Sequence, residues 1–174
     1  MSQVNPQLLS SVRNALKILR SFSMDEPEKR VSDVARELGL SKSSASRLMA
    51  TLASEGFLSK NPDTGHYRLG VSVLTLSTIF ISSLDLYQES LPVLKWLVKE
   101  TGEAAHVAVM EGTDVVYINK VESKHPIRIL TYMGRRNPAY CTSSGKVLLA
   151  YQAPEVVEEI ISKGLEKYAS NTIT

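Results

Sequence analysis

Apolar positions recur with a helical period along residues 31–57, and this stretch has the clearest pattern in the chain. Two apolar runs are separated by Gly39, and glycine ends helices because it adopts a left-handed backbone without steric cost. Ser41 stands where an N-cap of the second run would be, and Gly56 follows its end. The pattern predicts two short helices joined by a tight turn. Their apolar residues are Val34, Ala35 and Leu38 in the first helix, and Ala45, Leu48, Met49 and Leu52 in the second.

The second predicted helix has an outer face that suits a nucleic acid. That face carries two cations and several small hydroxyls, and no Asp or Glu occurs from residue 38 to residue 54. A helix that enters a DNA major groove needs small residues for close approach and cations for phosphate or guanine. An ordinary helix pair with a solvated polar face is the alternative. We expect six side chains to contact DNA, three at base edges (Ser43, Ser46 and Arg47) and three near phosphates (Lys42, Ser44 and Thr51).

A predicted hairpin follows at once. Residues 58–60 and 66–69 alternate apolar and polar as short strands do, and the Asn-Pro-Asp-Thr-Gly run between them is strong turn chemistry. A helix-turn-helix followed by a small hairpin is a winged helix. The inward side chains are predicted to be Leu58, Tyr67 and Leu69. Lys60, His66 and Arg68 are predicted to face outward, towards DNA, and a solvated hairpin tip is the alternative for His66 and Arg68.

Two further helices are predicted on either side of this unit. Residues 8–22 have Val12, Ala15, Leu16, Leu19 and Phe22 at helical spacing, and we expect this helix to pack under the recognition helix. Residues 24–30 are polar and acidic, as in an exposed loop. Residues 71–86 form a linker helix with apolar residues on more than one face. The excess of apolar residues on this helix indicates contact with a second subunit, and burial against the chain's own second domain is the alternative.

The remaining residues mix helices with an antiparallel meander, which indicates an α+β domain. A helix over 88–101 precedes two apolar, β-branched runs at 104–110 and 115–121, and a third strand is predicted at 127–133. Helices over 143–151 and 154–164 follow. Thr142, Ser143 and Ser144 lead into the first of these, where free backbone N–H groups could hold an anion. Simple N-capping by these residues is the alternative.

Four segments, in this order, resemble the IclR family of bacterial transcriptional regulators: SVRNALKILRSF, VSDVARELGLSKSSASRLMATLASEGFLSKNPDTGHYRLG, TGEAAHVAVMEGTDVVYINKVES and RRNPAYCTSSGKVLLAY. The resemblance implies a winged helix-turn-helix at 8–70, with its helix-turn-helix at about 31–50, and a linker helix at 71–86. At 87–174 it implies the first part of a GAF-like α/β effector-binding domain that is apparently truncated. It further implies a homodimer or homotetramer on a near-palindromic DNA operator, responding to a small-molecule effector, with repression favoured over activation.

By position, the resemblance also assigns four residues to the effector pocket: Ile129, Asn137, Ser143 and Ser144. Family members often have Gly or Ala where this chain has the two serines, so this wall of the pocket is expected to be more polar. A small organic acid or a sugar-derived acid would suit it, and an aromatic compound is a further option.

Charge and composition support this interpretation. The chain has 174 residues, enough for one or two domains, and a formal net charge of +2. Residues 1–70 carry ten Lys and Arg against seven Asp and Glu, and residues 71–174 carry ten against eleven. The basic end is therefore the one with the predicted helix-turn-helix. With Cys141 as its one cysteine and no signal peptide or membrane-spanning run, the sequence predicts a cytoplasmic protein without an intramolecular disulfide.

Other functions have weaker signals. Ser143 and Lys146 fit Ser-x-x-Lys, a pairing that can activate the serine of a hydrolase, but the sequence has no Ser-Asp-Asn or Lys-Thr-Gly partner. The three histidines and Cys141 are scattered without ligand spacing, so neither a metal nor a cofactor is expected. A winged helix that docks protein instead of DNA is a third reading, and the salt dependence of duplex binding separates the two. Because the Ser-x-x-Lys match is weak and no metal site is expected, we do not expect an enzyme.

Overall fold

The computed structural model describes residues 8–124 and 131–174, and the chain divides into two compact units. The first unit ends at Ile81 and the second begins at Ser82. The first contains α1 (Ser10–Arg20), β1 (Glu28–Lys29), α2 (Val31–Glu37), α3 (Lys42–Ser54), β2 (Leu58–Lys60), β3 (Tyr67–Leu69) and α4 (Val71–Ser82). The second contains α5 (Asp85–Thr101), β4 (Ala105–Glu111), β5 (Asp114–Val121), β6 (Arg136–Pro138), a 3₁₀ turn (Ala139–Cys141), α6 (Ser143–Ala150) and α7 (Pro154–Ser162).

The turn between α2 and α3 forms as the sequence predicts. Gly39 has a φ of +64°, in the left-handed region that favours glycine. The amide of Leu40 donates a hydrogen bond to the carbonyl of Ala35 at 2.9 Å. Ser41 is the N-cap of α3, and its Oγ accepts a hydrogen bond from the amide of Ser44 at 3.1 Å. These contacts close the turn and cap α3, and the helix-turn-helix is confirmed.

A small antiparallel sheet with the strand order β1-β3-β2 completes the winged unit. The sequence does not predict β1, because residues 24–30 read as an exposed polar loop. Lys29 is nevertheless only 5% exposed, and its Nζ donates to Glu26 at 2.6 Å and to Glu37 at 2.5 Å. Burial acts to lower the pKa of Lys29, but the hydrogen bonds to the two carboxylates outweigh it and the pKa is raised. A cation held by two acids thus replaces the apolar residue expected of a buried strand.

The core of the first unit contains Ile18, Val34, Met49, Leu58 and Tyr67. The prediction that Leu69 faces it is wrong, and only part of the apolar spacing predicted for α1 packs on it. Val12 and Leu16 are each 51% exposed, because α1 has apolar residues on two sides and the side with Ile18 faces the core. Leu69 is 42% exposed, because it lies at the end of β3, beyond the residues packed on the core.

Helix α4 is shorter than the predicted linker helix. It ends at Ser82 instead of about residue 86, because Leu84 is extended (φ −94°, ψ 101°) and serves as the N-cap of α5. Asp85 then stands in the first turn of α5, where a carboxylate is favourable near the helix N-terminus. Helix α5 therefore begins earlier than predicted, and Pro92 lies inside it. No residue of α4 is buried in the described chain, and its exposed apolar residues include Val71, Leu74, Leu76 and Ile79.

The second unit is built on an antiparallel sheet with the strand order β4-β5-β6. The predicted third strand at 127–133 is wrong in its described part: residues 125–130 lie outside the described residues, and residues 131–133 are not a strand. The pairing strand is β6, which lies opposite residues 114–116 of β5. A turn precedes it, in which the amide of Gly134 donates to the carbonyl of Tyr117 at 2.8 Å. The mixed α+β class predicted for the chain is confirmed.

One irregularity decides which side chains of this sheet share a face. Val107 pairs with Asn119, but its neighbour Ala108 pairs with Tyr117, so Ile118 is an extra residue in β5. Because paired residues share a face and Val107 and Ala108 face opposite sides, Tyr117 and Asn119 also face opposite sides. Asn119 Nδ2 donates to Tyr87 O and to Ser90 Oγ of α5, each at 3.2 Å. Tyr117 packs instead in a buried cluster with Val115, Ala139, Leu148 and Leu149.

Within the described residues, no single helix is both long and apolar enough to cross a membrane, and α4 and α5 pass that criterion only when taken together as a broken pair. The same residues include no group of three or more His, Cys, Asp or Glu arranged to hold a metal ion.

Candidate functional site

The outer face of α3 lies in solvent. Ala45 and Met49 are buried on the opposite side, and they fix the orientation of the helix against the core. All six predicted DNA-contacting residues of α3 are exposed: Lys42, Ser43, Ser44, Ser46, Arg47 and Thr51. Neither Lys42 nor Arg47 forms an ion pair within the described part of the chain. Both cations of this face are therefore available to an anionic partner.

Hydrogen bonds already engage some of these side chains. Ser41 Oγ shares a hydrogen bond with Ser43 Oγ at 3.1 Å and donates to Ser44 Oγ at 2.8 Å. Thr51 Oγ1 donates to the carbonyl of Arg47 at 3.0 Å. Ser43, Ser44 and Thr51 are thus held by the helix itself. Among the described residues, the Ser46 hydroxyl has no such partner, so Ser46 and Arg47 are the least constrained of the three residues predicted to reach base edges.

A hollow of about 340 Å³ lies along one flank of this face, between α3 and α1. Arg47 is its cation, and none of its lining residues is acidic. Helix α1 contributes three small polar residues that the sequence analysis did not single out. Their signal was their spacing, since Asn14 falls one helical turn after the adjacent pair Ser10 and Ser11. The lining residues are Ser10, Ser11, Asn14, Ser44, Arg47, Leu48 and Thr51.

The hairpin is tied to the start of α2. Arg30 Nε donates a hydrogen bond to His66 Nε2 at 2.9 Å, and Nε2 can accept it only when it carries no hydrogen. The His66 side chain is half-buried, and its Nδ1 is buried without a hydrogen-bond partner in the described chain. Arg30 therefore holds the His66 ring, and contact of His66 with DNA stays a prediction. Arg68 is exposed, as predicted, and pairs with Ser59 and Glu28 in the sheet.

The second unit has a hollow of about 360 Å³ between β4 and α6, lined by His106, Ala108, Ser143, Ser144, Val147 and Leu148. Thr142 is the N-cap of α6, and its Oγ1 accepts a hydrogen bond from the amide of Gly145 at 3.1 Å. Capping therefore uses Thr142 and leaves the side chains of Ser143 and Ser144 for other contacts. A Cβ at Gly145 would lie 2.1 Å from the carbonyl oxygen of Ala139, so only glycine lets α6 approach this closely.

Two polar atoms at this hollow have no hydrogen-bond partner among the described residues. They are Ser144 Oγ and His106 Nδ1, and both are buried. The His106 ring packs edge-on against Tyr117, with 4.8 Å between the ring centroids. Burial, and then the positive charge of Lys120, lower the pKa of His106. In the sequence His106 is only one of three scattered histidines, because its place beside α6 depends on the strand register.

The other predicted effector residues lie elsewhere. Asn137 is on β6 opposite Val115, its Oδ1 accepts a hydrogen bond from Arg135 Nε at 3.4 Å, and it does not line the hollow. Ile129 lies outside the described residues. No hydrogen bond joins Ser143 to Lys146 in the described chain, so the Ser-x-x-Lys pairing gains no support from the geometry.

The first unit is a winged helix-turn-helix whose exposed helix face lacks acids, and the second is an α+β unit with a polar hollow. This arrangement is typical of DNA-binding proteins that also have a ligand-binding domain. Comparison with known proteins gives the family. The family model described as the IclR helix-turn-helix domain matches residues 11–62, and the one described as the bacterial transcriptional regulator IclR C-terminal domain matches residues 78–174. The chain belongs to the IclR family of transcriptional regulators, and the predicted resemblance is confirmed.

Individual relatives are also transcriptional regulators. The HTH-type transcriptional regulator XynR of Escherichia coli is 34% identical over 167 residues, which are 96% of this chain and 65% of XynR. The HTH-type transcriptional regulator KdgR of Dickeya chrysanthemi is 30% identical over 158 residues, 91% of this chain and 52% of KdgR. The chain thus spans between about half and two thirds of the length of these relatives.

Solved structures show the same fold. The IclR-type transcriptional regulator of Alicyclobacillus acidocaldarius superposes with a TM-score of 0.83 at 26% identity, covering 96% of this chain and 68% of that one. An IclR homologue from Microbacterium hydrocarbonoxydans, complexed with 4-hydroxybenzoate, superposes with a TM-score of 0.81 at 29% identity, covering 95% and 68%. The individual DNA-contacting and effector-contacting residues assigned above stay predictions.

Proposed function

We propose that this protein binds double-stranded DNA through α3 and regulates transcription from a near-palindromic operator, as a repressor, in response to a small-molecule effector. The observation that carries the proposal is the outer face of α3, which is exposed, free of acids and provided with two cations that lack ion pairs in the described chain. DNA presents a dense row of phosphates, and a carboxylate on this face would oppose them.

The arrangement of side chains supports separate roles across that face. Ser46 and Arg47 lie at its centre, where close approach to base edges is required, and Arg47 can donate two hydrogen bonds to a guanine. Ser44 and Thr51 lie on the flank that borders α1, and with Ser10, Ser11 and Asn14 they offer several donors to a phosphate. Lys42 stands at the first turn of α3, and with Arg68 of the hairpin it would contact phosphates beyond that flank.

Exposed apolar side chains support a homodimer or homotetramer. Val12 and Leu16 of α1 lie one turn apart and are half-exposed, and Leu74 and Ile79 of α4 are more exposed still. Surfaces of this kind are typical of subunit interfaces, because burying them in a partner removes apolar area from water. Two winged helix-turn-helix units related by two-fold symmetry would match a near-palindromic site.

The hollow beside α6 is the proposed effector site. Ser143 and Ser144 form one polar wall, and Val147 and Leu148 form an apolar one, which suits a small organic acid with an apolar part. The complex of the Microbacterium homologue with 4-hydroxybenzoate is consistent with this class of ligand. Asn137 and Ile129 are assigned to the effector by resemblance alone, since Asn137 does not line this hollow and Ile129 lies outside the described residues.

Selection of bound duplexes from a random pool tests the DNA-binding role. We expect enrichment of a near-palindromic sequence whose affinity falls steeply as salt rises, because bound phosphates release counterions. Fluorescence anisotropy with the selected and a scrambled duplex gives both the preference and the salt slope. Binding that is weak on every duplex and insensitive to salt would instead favour a protein-docking module and contradict the proposal.

A further inference from the structure

The hollow beside α6 contains two groups whose chemistry is unsatisfied. A buried polar atom without a hydrogen bond is costly, by about 1–3 kcal/mol in general, and such atoms are rare in folded proteins. Ser144 Oγ and His106 Nδ1 both meet this description in the described chain, and their side chains line the same space. They come from different elements, α6 and β4, so a ligand that bonded both would bridge the helix and the sheet.

Among the described residues, the lining of the hollow has no acidic side chain that would oppose an anion. Lys120 lies opposite His106 in the sheet register, and its Nζ donates to the carbonyl of Thr131 at 2.8 Å and pairs with Glu122 at 2.9 Å. From β5, Tyr117 presents its ring to His106. From α6, the lining residues are two serines and two aliphatic residues, and Lys146 is exposed outside the lining. No carboxylate lines the hollow in the described chain.

We propose that His106 selects the charge of the effector: on binding of a carboxylate, the imidazole takes up one proton from solvent, and its Nδ1–H, together with the Ser144 hydroxyl, donates to the carboxylate oxygens. This inference rests on the proposed effector site, and it adds a specificity-determining residue and a coupling to pH. One proton is taken up from solvent for each anion bound, and the new N–H bond of the imidazolium is the one covalent bond formed.

The expected pH dependence follows from the surroundings of the ring. In the free protein the pKa of His106 is lowered by burial and by Lys120, so the ring is neutral near neutral pH. A bound carboxylate places a negative charge beside the ring and raises the pKa. Affinity for the anion should therefore rise as pH falls through the interval between the bound and free pKa values, by up to about tenfold per pH unit. A neutral ligand of the same shape should show no such rise.

Nuclear magnetic resonance of the histidine side chains in the full chain tests this directly. Benzoate and pyruvate serve as anionic probes, and benzamide as the neutral analogue of benzoate. His106→Gln, His66→Gln and His125→Gln variants assign the three histidine signals. We expect benzoate or pyruvate to shift the His106 signal and raise its titration midpoint, and benzamide to do neither. His106→Gln should abolish the pH dependence of carboxylate affinity, whereas His66→Gln should retain it.

A second variant keeps the proposal testable if His106→Gln does not fold. Ser144→Ala removes one donor but keeps the ring, so it should weaken carboxylate binding while leaving the pH dependence in place. The proposal is overturned if millimolar benzoate and pyruvate leave the His106 signal unmoved, if affinity is independent of pH between about 5.5 and 7.5 around the histidine range, or if benzamide binds as benzoate does. Duplex binding measured on the same samples reports separately on the DNA-binding proposal, so either can fail without the other.

Discussion

The two units begin their functional helices with the same capping chemistry but use the residues after the cap in opposite ways. In α3, Ser41 accepts a hydrogen bond from the amide of Ser44 at 3.1 Å, and the serines that follow are exposed. In α6, Thr142 accepts from the amide of Gly145 at 3.1 Å, and the Ser144 hydroxyl that follows is buried without a partner in the described chain. The first arrangement suits a large external surface, and the second suits a small ligand in the hollow.

The largest expected effect concerns the support under α3. Met49 is fully buried, so Met49→Ala leaves a cavity and should lower the free energy of unfolding of the first unit by about 2–5 kcal/mol. Thermal unfolding followed by circular dichroism measures this. The exposed neighbour Ser46, changed to Ala, is the matched control and should alter stability little. A small loss at Met49 would mean that the orientation of α3 depends on something other than this core.

The next effect separates base reading from phosphate binding on the exposed helix. Arg47→Ala should weaken binding to the selected duplex by about 1–3 kcal/mol if Arg47 reads a guanine, with a smaller loss on a scrambled duplex. Anisotropy titrations with both duplexes give the two values. Arg20→Ala, on an exposed arginine of α1 outside the hollow, is the control for lost charge. Equal weakening on both duplexes would make Arg47 a phosphate contact instead.

Removing the two caps compares the helices directly. Ser41→Ala and Thr142→Ala should each cost about 0.5–2 kcal/mol of stability, because each leaves a helix N–H without its side-chain acceptor. Only Ser41→Ala should also weaken duplex binding, since Ser41 holds Ser43 and Ser44 in place. Unfolding and anisotropy on both variants check this. If Thr142→Ala weakened duplex binding equally, the division of roles between the two caps would be wrong.

The smallest expected effect is the dependence of stability on pH. The folded-state pKa of His106 is lowered below its usual value of about 6.5. The unfolded chain therefore binds more protons as pH falls below about 6.5, and the stability due to neutral His106 is lost through that interval towards the folded pKa. Denaturant unfolding at several pH values should show this decline. His106→Gln should flatten it, and an unchanged decline in that variant would assign it to other groups.

Periodicity and capping were sufficient to predict α3. Ala45 and Met49 fall on its apolar side and Arg47 on its polar side in any regular helix, so their burial and exposure follow from local sequence. For helix α1 the local pattern is not sufficient to predict which side is buried. It has apolar residues on two sides, and the choice of Ile18 over Leu16 for the core depends on the neighbouring elements.

Long-range pairing explains the remaining differences. The strand β1 consists of Glu28 and Lys29, and no local pattern marks two charged residues as a strand. It forms because β3 offers a free edge and because two glutamates neutralise Lys29. Similarly, His106 lines the same hollow as Ser144 only through the packing of β4 on α6, so the candidate hollow could be predicted on its helix side alone.

The extra residue at Ile118 has a consequence for comparing this chain with its relatives. Positions of β5 after it face the opposite side from the one that simple counting assigns. An alignment that gains or loses a residue there still matches the strand in length, but it equates side chains of opposite faces from Asn119 onward. The counterpart of Lys120 in a relative can therefore be assigned only after this inserted position has been located in that relative's own sheet.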